Sequence, residues 1–305
     1  MPVVIELFAG AGGASLGIAQ ALPGVTAVGV EYDQWACATR AAAGLLTIRA
    51  DVSLMATGPM VGKVAGVWGS PPCPTFSTAG TGSGIGLLEL LAEGMERLCK
   101  GDDCRAEIRS RCYPIVHAQT VAENAAKRVD RRRTPEQVEI EAHRRTAESC
   151  LVLEPARFAH DLRPGWVACE QVPAVLPLWE AMGAGLERLG YGWWAGVLDT
   201  ADQGVPQNRK RAILMARYGA RQVLPPPPTH FDQRRSPSLF GESWVSMADA
   251  LDWGMTERPY VTVATGHLDA AGVGGSASRA MLTKEAGGGI GSPASEPAPR
   301  PEPTV

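Results

Sequence analysis

The chain of 305 residues is 45% hydrophobic and carries 29 Lys and Arg against 32 Asp and Glu, a net charge of -3. That length buries one sizeable core, and seven scattered cysteines, an odd number, argue for reduced thiols in a cytoplasm and against a disulfide framework. No apolar run approaches the roughly 18 residues of a membrane span, and Met1 to Ile5 opens no basic-then-apolar leader, so neither secretion nor membrane anchoring is expected.

In chain order, Val3 to Phe8 reads as a strand, Gly10-Ala11-Gly12-Gly13 as a tight turn and Ala14 to Leu22 as a helix, the opening of a doubly wound α/β unit. Val25 to Val30 reads as a second strand ending at Glu31, Trp35 to Ala43 as a helix, Leu46 to Ile48 as a third strand and Val64 to Trp68 as a fourth. Strand tips then fall at Phe8, Glu31, Asp51 and Ser70, and ligands of such sheets bind outside the carboxyl ends of the strands.

Residues 80–148 read as a charged helical insertion: glycines at 80, 82, 84 and 86, then a helix start at Thr134-Pro135 with Gln137 three residues past the cap. The α/β pattern resumes with a helix at Pro155 to Leu162, a strand at Trp166 to Cys169 ending at Glu170, a helix at Trp179 to Leu189, and strands at Trp193 to Asp199 and Arg211 to Arg217. A short helix is expected at Val245 to Leu251. From Gly266 onward Gly, Ala, Ser and Pro dominate, and Gly287 to Val305 is expected to be disordered. The domain reading is thus 1–217 catalytic, 218–265 a linker or partial recognition region and 266–305 a low-complexity tail.

The glycine turn lets backbone approach a cofactor closely, but the third glycine of a dinucleotide fingerprint is displaced to Gly17, which disfavours nicotinamide. Glu31 is placed for ribose hydroxyls, Asp51 for an adenine amino group and Tyr32 for stacking on adenine; the alternative is a tight turn with no ligand. Cys73, walled by Pro71, Pro72 and Pro74, is held as an attacking thiol would be, or stands in a purely structural turn. Cys99, Cys104, Cys112 and His117 lack the close cysteine pair of most zinc sites, and buried thiols are the preferred reading, with no metal expected.

Glu6 to Gly13, Pro71-Pro72-Cys73 with Phe76-Ser77, Glu170-Gln171-Val172 and Gln207-Asn208-Arg209-Lys210-Arg211 together resemble, in order and spacing, four motifs of the DNA cytosine-5 methyltransferases. The resemblance spans roughly residues 3 to 217 and implies a Rossmann-like S-adenosylmethionine-dependent methyltransferase sheet. It implies S-adenosylmethionine at Phe8, Ala9, Gly10, Gly12, Gly13, Glu31, Tyr32, Asp51, Val52 and Pro72. It further implies double-stranded DNA as substrate, methylated at cytosine C5. Cys73 would add to C6, Glu170 would bond N3 and the exocyclic amine, and Arg209 and Arg211, sharing one strand face, would hold O2 and a phosphate or the thiol loop.

The cytosine must leave the stack to reach such a thiol, and Ser77 to Gly86 reads as a hinge that closes over it. Basic patches at Lys127 to Arg133, Arg144-Arg145, Arg209 to Arg211 and Arg234-Arg235 are the available contacts against an overall repelling charge. The insertion is expected either near phosphates or as a solvated helical pair shielding a sheet edge. Pro74 stands where the family has glutamine, and no late Gly-Asn-x-Val segment or recognition region follows Arg258 to Val263. A truncated enzyme, a second chain supplying the missing part, a non-catalytic remnant, or the same chemistry on RNA cytosine are the corresponding expectations.

Overall fold

The structure, a computed structural model, describes residues 1–72, 84–232 and 241–252. Cys73, Phe76-Ser77, most of the glycine-rich hinge, Arg234-Arg235, Arg258 to Val263 and the low-complexity tail lie outside the described residues. Residues Met1–Ala250 form one compact unit.

Seven strands make one sheet: β1 (Val3–Leu7), β2 (Thr26–Glu31), β3 (Thr47–Arg49), β4 (Val64–Gly69), β5 (Trp166–Gln171), β6 (Tyr191–Asp199) and β7 (Lys210–Tyr218), in the order β3-β2-β1-β4-β5-β7-β6. The first five are mutually parallel, and β7 runs antiparallel between β5 and β6. The reversal of order between β1 and β4 is the switch point at which doubly wound sheets bind ligands. β5 runs two residues further than its apolar stretch, because Glu170 and Gln171 pair with Ile213 and Ala212 of β7.

Eight helices accompany the strands among the described residues: α1 (Gly13–Ala21), α2 (Gln34–Ala42), α3 (Gly84–Cys99), α4 (Arg105–Ala126), α5 (Pro135–Cys150), α6 (Glu154–Leu162), α7 (Leu176–Glu187) and α8 (Met247–Ala250). Strand alternation sorts them into layers. Ile5 and Leu7 of β1 pack with Phe158 and Leu162 of α6, whereas Glu6 between them meets Ser15 of α1 and Arg40 of α2. On the other half of the sheet, Leu178, Trp179 and Met182 of α7 cover Val167, Ala212 and Leu214.

The insertion divides in two. Leu87, Leu91 and Met95 of α3 belong to the main core, so this helix is a structural layer over α6 and α7. α4 and α5 form an antiparallel pair, with Cys112 meeting Cys150 at its base and Asn124 bonding Arg133 near its tip. The expected start of α5 is present as a capping box between Thr134 and Gln137 with Pro135 in the first turn.

Candidate active site

At the tip of β1 the chain turns through three left-handed residues, Phe8 (φ 60°), Gly10 (φ 51°) and Gly12 (φ 106°). A non-glycine residue at positive φ, as at Phe8, is strained, and such strain persists only where the surroundings hold it. They do: Ala9 N–H donates to Val30 O at 3.1 Å, and Gly10 N–H donates to Glu31 Oε2 at 2.8 Å. Glu31 Oε1 accepts from the backbone of Tyr32 and Asp33 at 2.7 and 2.8 Å. The carboxylate thus fixes the turn to the tip of β2 and keeps acceptor capacity for a hydroxyl pair.

The turn rests on a buried ionic cluster. Arg40, wholly buried, uses its five N–H groups on Thr47 Oγ1 (2.9 Å), Glu6 Oε2 (3.4 Å), Ala9 O (3.3 Å), Ser15 Oγ (2.9 Å) and Leu46 O (3.1 Å). Ser15 Oγ also donates to Glu6. Burial lifts the Glu6 carboxyl above the usual range, opposed by Ser15 and Arg40. Gly29 is required here, since a Cβ would stand 2.0 Å from Arg40 Nη2.

Around this turn the geometry suits an adenosyl cofactor. Beside Gly10 and Gly13 an added Cβ would meet nothing within 4 Å, so the backbone lies open to a ligand. No side chain caps α1 at Gly12, and in its first turn the Ser15 N–H is taken by Glu6 from behind. Tyr32 is 73% exposed at the mouth, and Val52 is buried. Asp51 caps the turn after β3, with Oδ1 accepting from Ser53 N and Oγ at 2.8 and 2.7 Å.

Two strands away, Glu170 near the end of β5 accepts from Arg211 Nε at 2.7 Å, and Arg209 Nη2 lies 3.9 Å from the same oxygen. The two arginines therefore converge on the carboxylate expected to act on the base. Arg209 precedes β7, and Asp199 Oδ1 holds its N–H at 3.0 Å across the Thr200–Gln203 turn. Gln171 Nε2 donates to Pro71 O at 2.6 Å, fastening the chain that leaves β4; exposed Pro72 is the last described residue before Cys73.

The four zinc candidates do not converge. Cys104 Sγ points to Gly94 O at 3.7 Å, Cys112 pairs with Cys150, and His117 Nε2 lies 3.2 Å from Glu139. Among the described residues no three His, Cys, Asp or Glu groups are placed to hold a metal, and no helix is long and apolar enough to cross a membrane. Burial pushes the Cys99 thiol up to about 11 and raises that of Cys169, which disfavours the thiolate at both.

Sequence reasoning named Glu6 and Gln171 within motifs and Asp199 as a strand end without giving them a role, and did not single out Arg40. The signal for Glu6 was present: a charged residue inside the apolar run Val3 to Phe8 demands a buried partner.

A sequence model of the family described as C-5 cytosine-specific DNA methylase matches residues 3–91 and 139–247. Comparison with curated proteins gives no match. Among solved structures, one described as a DNA modification methyltransferase encoded within an E. coli prophage is similar at 20% identity and TM-score 0.45, covering 82% of this chain and 54% of that one. The S. pombe Dnmt2 methyltransferase is similar at 14% identity and TM-score 0.45, covering 73% and 51%. An Entamoeba histolytica methyltransferase follows at 14% identity and TM-score 0.43, covering 73% and 58%. The chain therefore spans about half the length of these structures.

Proposed function

The chain belongs to the C-5 cytosine-specific DNA methylases, and from that premise we propose that it methylates C5 of a cytosine in double-stranded DNA through a covalent adduct on Cys73. Its doubly wound sheet is the Rossmann-like fold of S-adenosylmethionine-dependent methyltransferases, and S-adenosylmethionine is the cofactor of that fold. When bound, its methyl sulfonium supplies the electrophile.

The observation that carries the reading is an order along one sheet edge: the glycine turn on β1, then the end of β4 leading to Pro72, then Glu170 on β5. Cys73 follows Pro72 directly in the sequence, which supports it as the thiol serving this edge. As thiolate it forms the S–C6 bond, and the C5–C6 π pair shifts toward C4 and N3, where Glu170 would hydrogen-bond or deliver a proton. C5 becomes an enamine carbon able to take the methyl group. N3 then gives its proton back to Glu170, a base removes the C5 proton, and the S–C6 bond breaks, restoring the thiolate. Arg211 orients Glu170, and Arg209 beside it is available to O2 or a phosphate.

On this reading residues 1–217 carry the reaction, 80–148 are its helical insertion, and 218–265 a partial recognition region that a second chain complements. The test is trapping: 5-fluorocytosine blocks proton loss, so duplex DNA carrying it should form a stable adduct that requires Cys73 and S-adenosylmethionine. An adduct with RNA alone would move the substrate to RNA. Equal inertness of wild type and Cys73→Ala, with cofactor binding retained, would sink the enzymatic reading.

A further inference from the structure

The helical pair α4–α5 projects from the same edge of the sheet that carries the candidate active site, and its direction follows from three contacts. Pro155 packs on Gly69, the last residue of β4, so α6 begins level with the carboxyl ends of the strands. Leu153 and Ile108 close over Gly94, at 3.1 and 3.3 Å from where a Cβ would stand, so the beginning of α4 lies at that level too. Ile115 then lies over Gly86, and α4 continues to Ala126, past the first turn of α3. At 1.5 Å per residue, the stretch from Ile108 to Ala126, which passes through Pro114, carries the tip up to roughly 25 Å beyond the sheet, on the side of Glu31, Glu170 and Arg211.

The charge changes along this arm. Along the body of the arm several arginines are paired: Arg111 with Glu93 at 2.7 Å, Arg145 with Glu123 at 2.7 Å, and Arg144 with Glu141 at 2.8 Å. At the tip, Lys127, Arg128, Arg131, Arg132 and Arg133 stand exposed against the carboxylates of Asp130 and, in the first turn of α5, Glu136. Arg128 meets Asp130 at 3.2 Å and Arg133 meets Glu141 at 3.4 Å. Arg132 spends its donors on the carbonyls of Ala125 and Lys127, and among the described residues no carboxylate pairs with Lys127, Arg131 or Arg132. In a chain of net charge -3 this is a concentrated cationic cap on an arm beside the site. The groove at the β6 edge is the poorer place for phosphate, because Asp199, Asp202 and Asp232 line it against Lys210.

We propose that the α4–α5 tip is a phosphate-backbone anchor, binding the nucleic acid whose cytosine enters the site below it. This rests on the nucleic-acid reading given above and adds a contact in the segment, residues 92–138, that the family match leaves uncovered. A guanidinium or ammonium on phosphate positions the duplex without reading its sequence. The arm therefore supplies affinity and register, and leaves sequence choice to other parts.

The test compares the wild-type chain with the triple variant Lys127→Ala, Arg128→Ala, Arg131→Ala, which leaves the Arg132 and Thr134 caps in place. Binding to random-sequence duplex DNA, single-stranded RNA and phosphatidylserine vesicles is measured across a salt series. The variant should bind duplex DNA about tenfold or more weakly, with the slope of log K against log salt reduced by about 3, near one unit per lost contact. Adduct formation with 5-fluorocytosine DNA at saturating concentration should persist. An unchanged slope on both DNA and RNA, with the adduct still formed, overturns the anchor alone. A reduced slope without any adduct in either chain supports the anchor and sinks the catalytic reading. Loss of vesicle binding with nucleic-acid binding intact overturns the anchor in favour of an anionic membrane.

Discussion

The two ends of the candidate site are built by different means. At the β1–β3 end the functional surface is mostly backbone, held in left-handed conformations by a buried arginine with every N–H occupied and by the Glu31 carboxylate. At the β5–β7 end it consists of half-exposed side chains, with Glu170 24% exposed and clasped by Arg211 at 20%. Backbone fixed from behind is a surface made before the ligand arrives. Side chains held by one short ion pair keep freedom to re-form their bonds around a base, as the role proposed for Glu170 at N3 would require.

Disabling the side-chain end gives the largest functional effect with the least structural one. Glu170→Gln keeps the shape and removes the proton partner, so single-turnover methyl transfer should slow by about 10²–10⁴-fold. Unfolding stability should fall by no more than about 1 kcal/mol, the upper range for a solvent-reached ion pair, and S-adenosylmethionine affinity, read by calorimetry, should be unchanged. A large loss of cofactor binding in this variant would erase the distinction between the two ends.

Arg40→Ala is the converse experiment. It strands Glu6 in the core without its cation and frees the carbonyls of Ala9 and Leu46, so denaturant unfolding should show a loss of about 3–5 kcal/mol. Cofactor affinity should fall with it. Arg40→Lys should recover only part of the loss, because three ammonium donors cannot reproduce five guanidinium bonds. A smaller penalty is expected for Gly12→Ala, whose Cβ would stand 2.2 Å from Leu45 Cδ1 at a φ of 106°. The flexible leucine can give way but the backbone cannot, so a cost of about 1–3 kcal/mol should remain.

How much of this was legible in the sequence follows the same division. The glycine turn, the strand tips at Glu31 and Glu170 and the cap at Thr134 each depend on a few neighbouring residues, and local pattern located them. The Glu6–Arg40 pair joins residues in different elements, and an arginine within a helical run looks like a solvated charge until its burial is seen. The convergence of Arg209 and Arg211 on Glu170 depended on β7 reversing direction beside β5, which no spacing announces. The charged run at Lys127 to Arg133 was plain to read. Its placement beyond the sheet edge required the packing of α4 against α3.

The finest test of a surface made in advance is a substitution that improves the empty protein. Gly13 opens α1 at an ordinary, non-left-handed φ, with nothing within 4 Å of an added Cβ. Gly13→Ala narrows the unfolded ensemble and should raise stability by about 0.4–1 kcal/mol. The same methyl group would occupy space that the backbone keeps open toward the cofactor, so S-adenosylmethionine affinity should fall while the melting temperature rises. Opposite signs in the two measurements would mean that the opening serves the ligand at the expense of the fold. Matching signs would mean that the cofactor lies elsewhere along the edge, and the contrast between the two ends would have to be redrawn around Tyr32 and Asp51 alone.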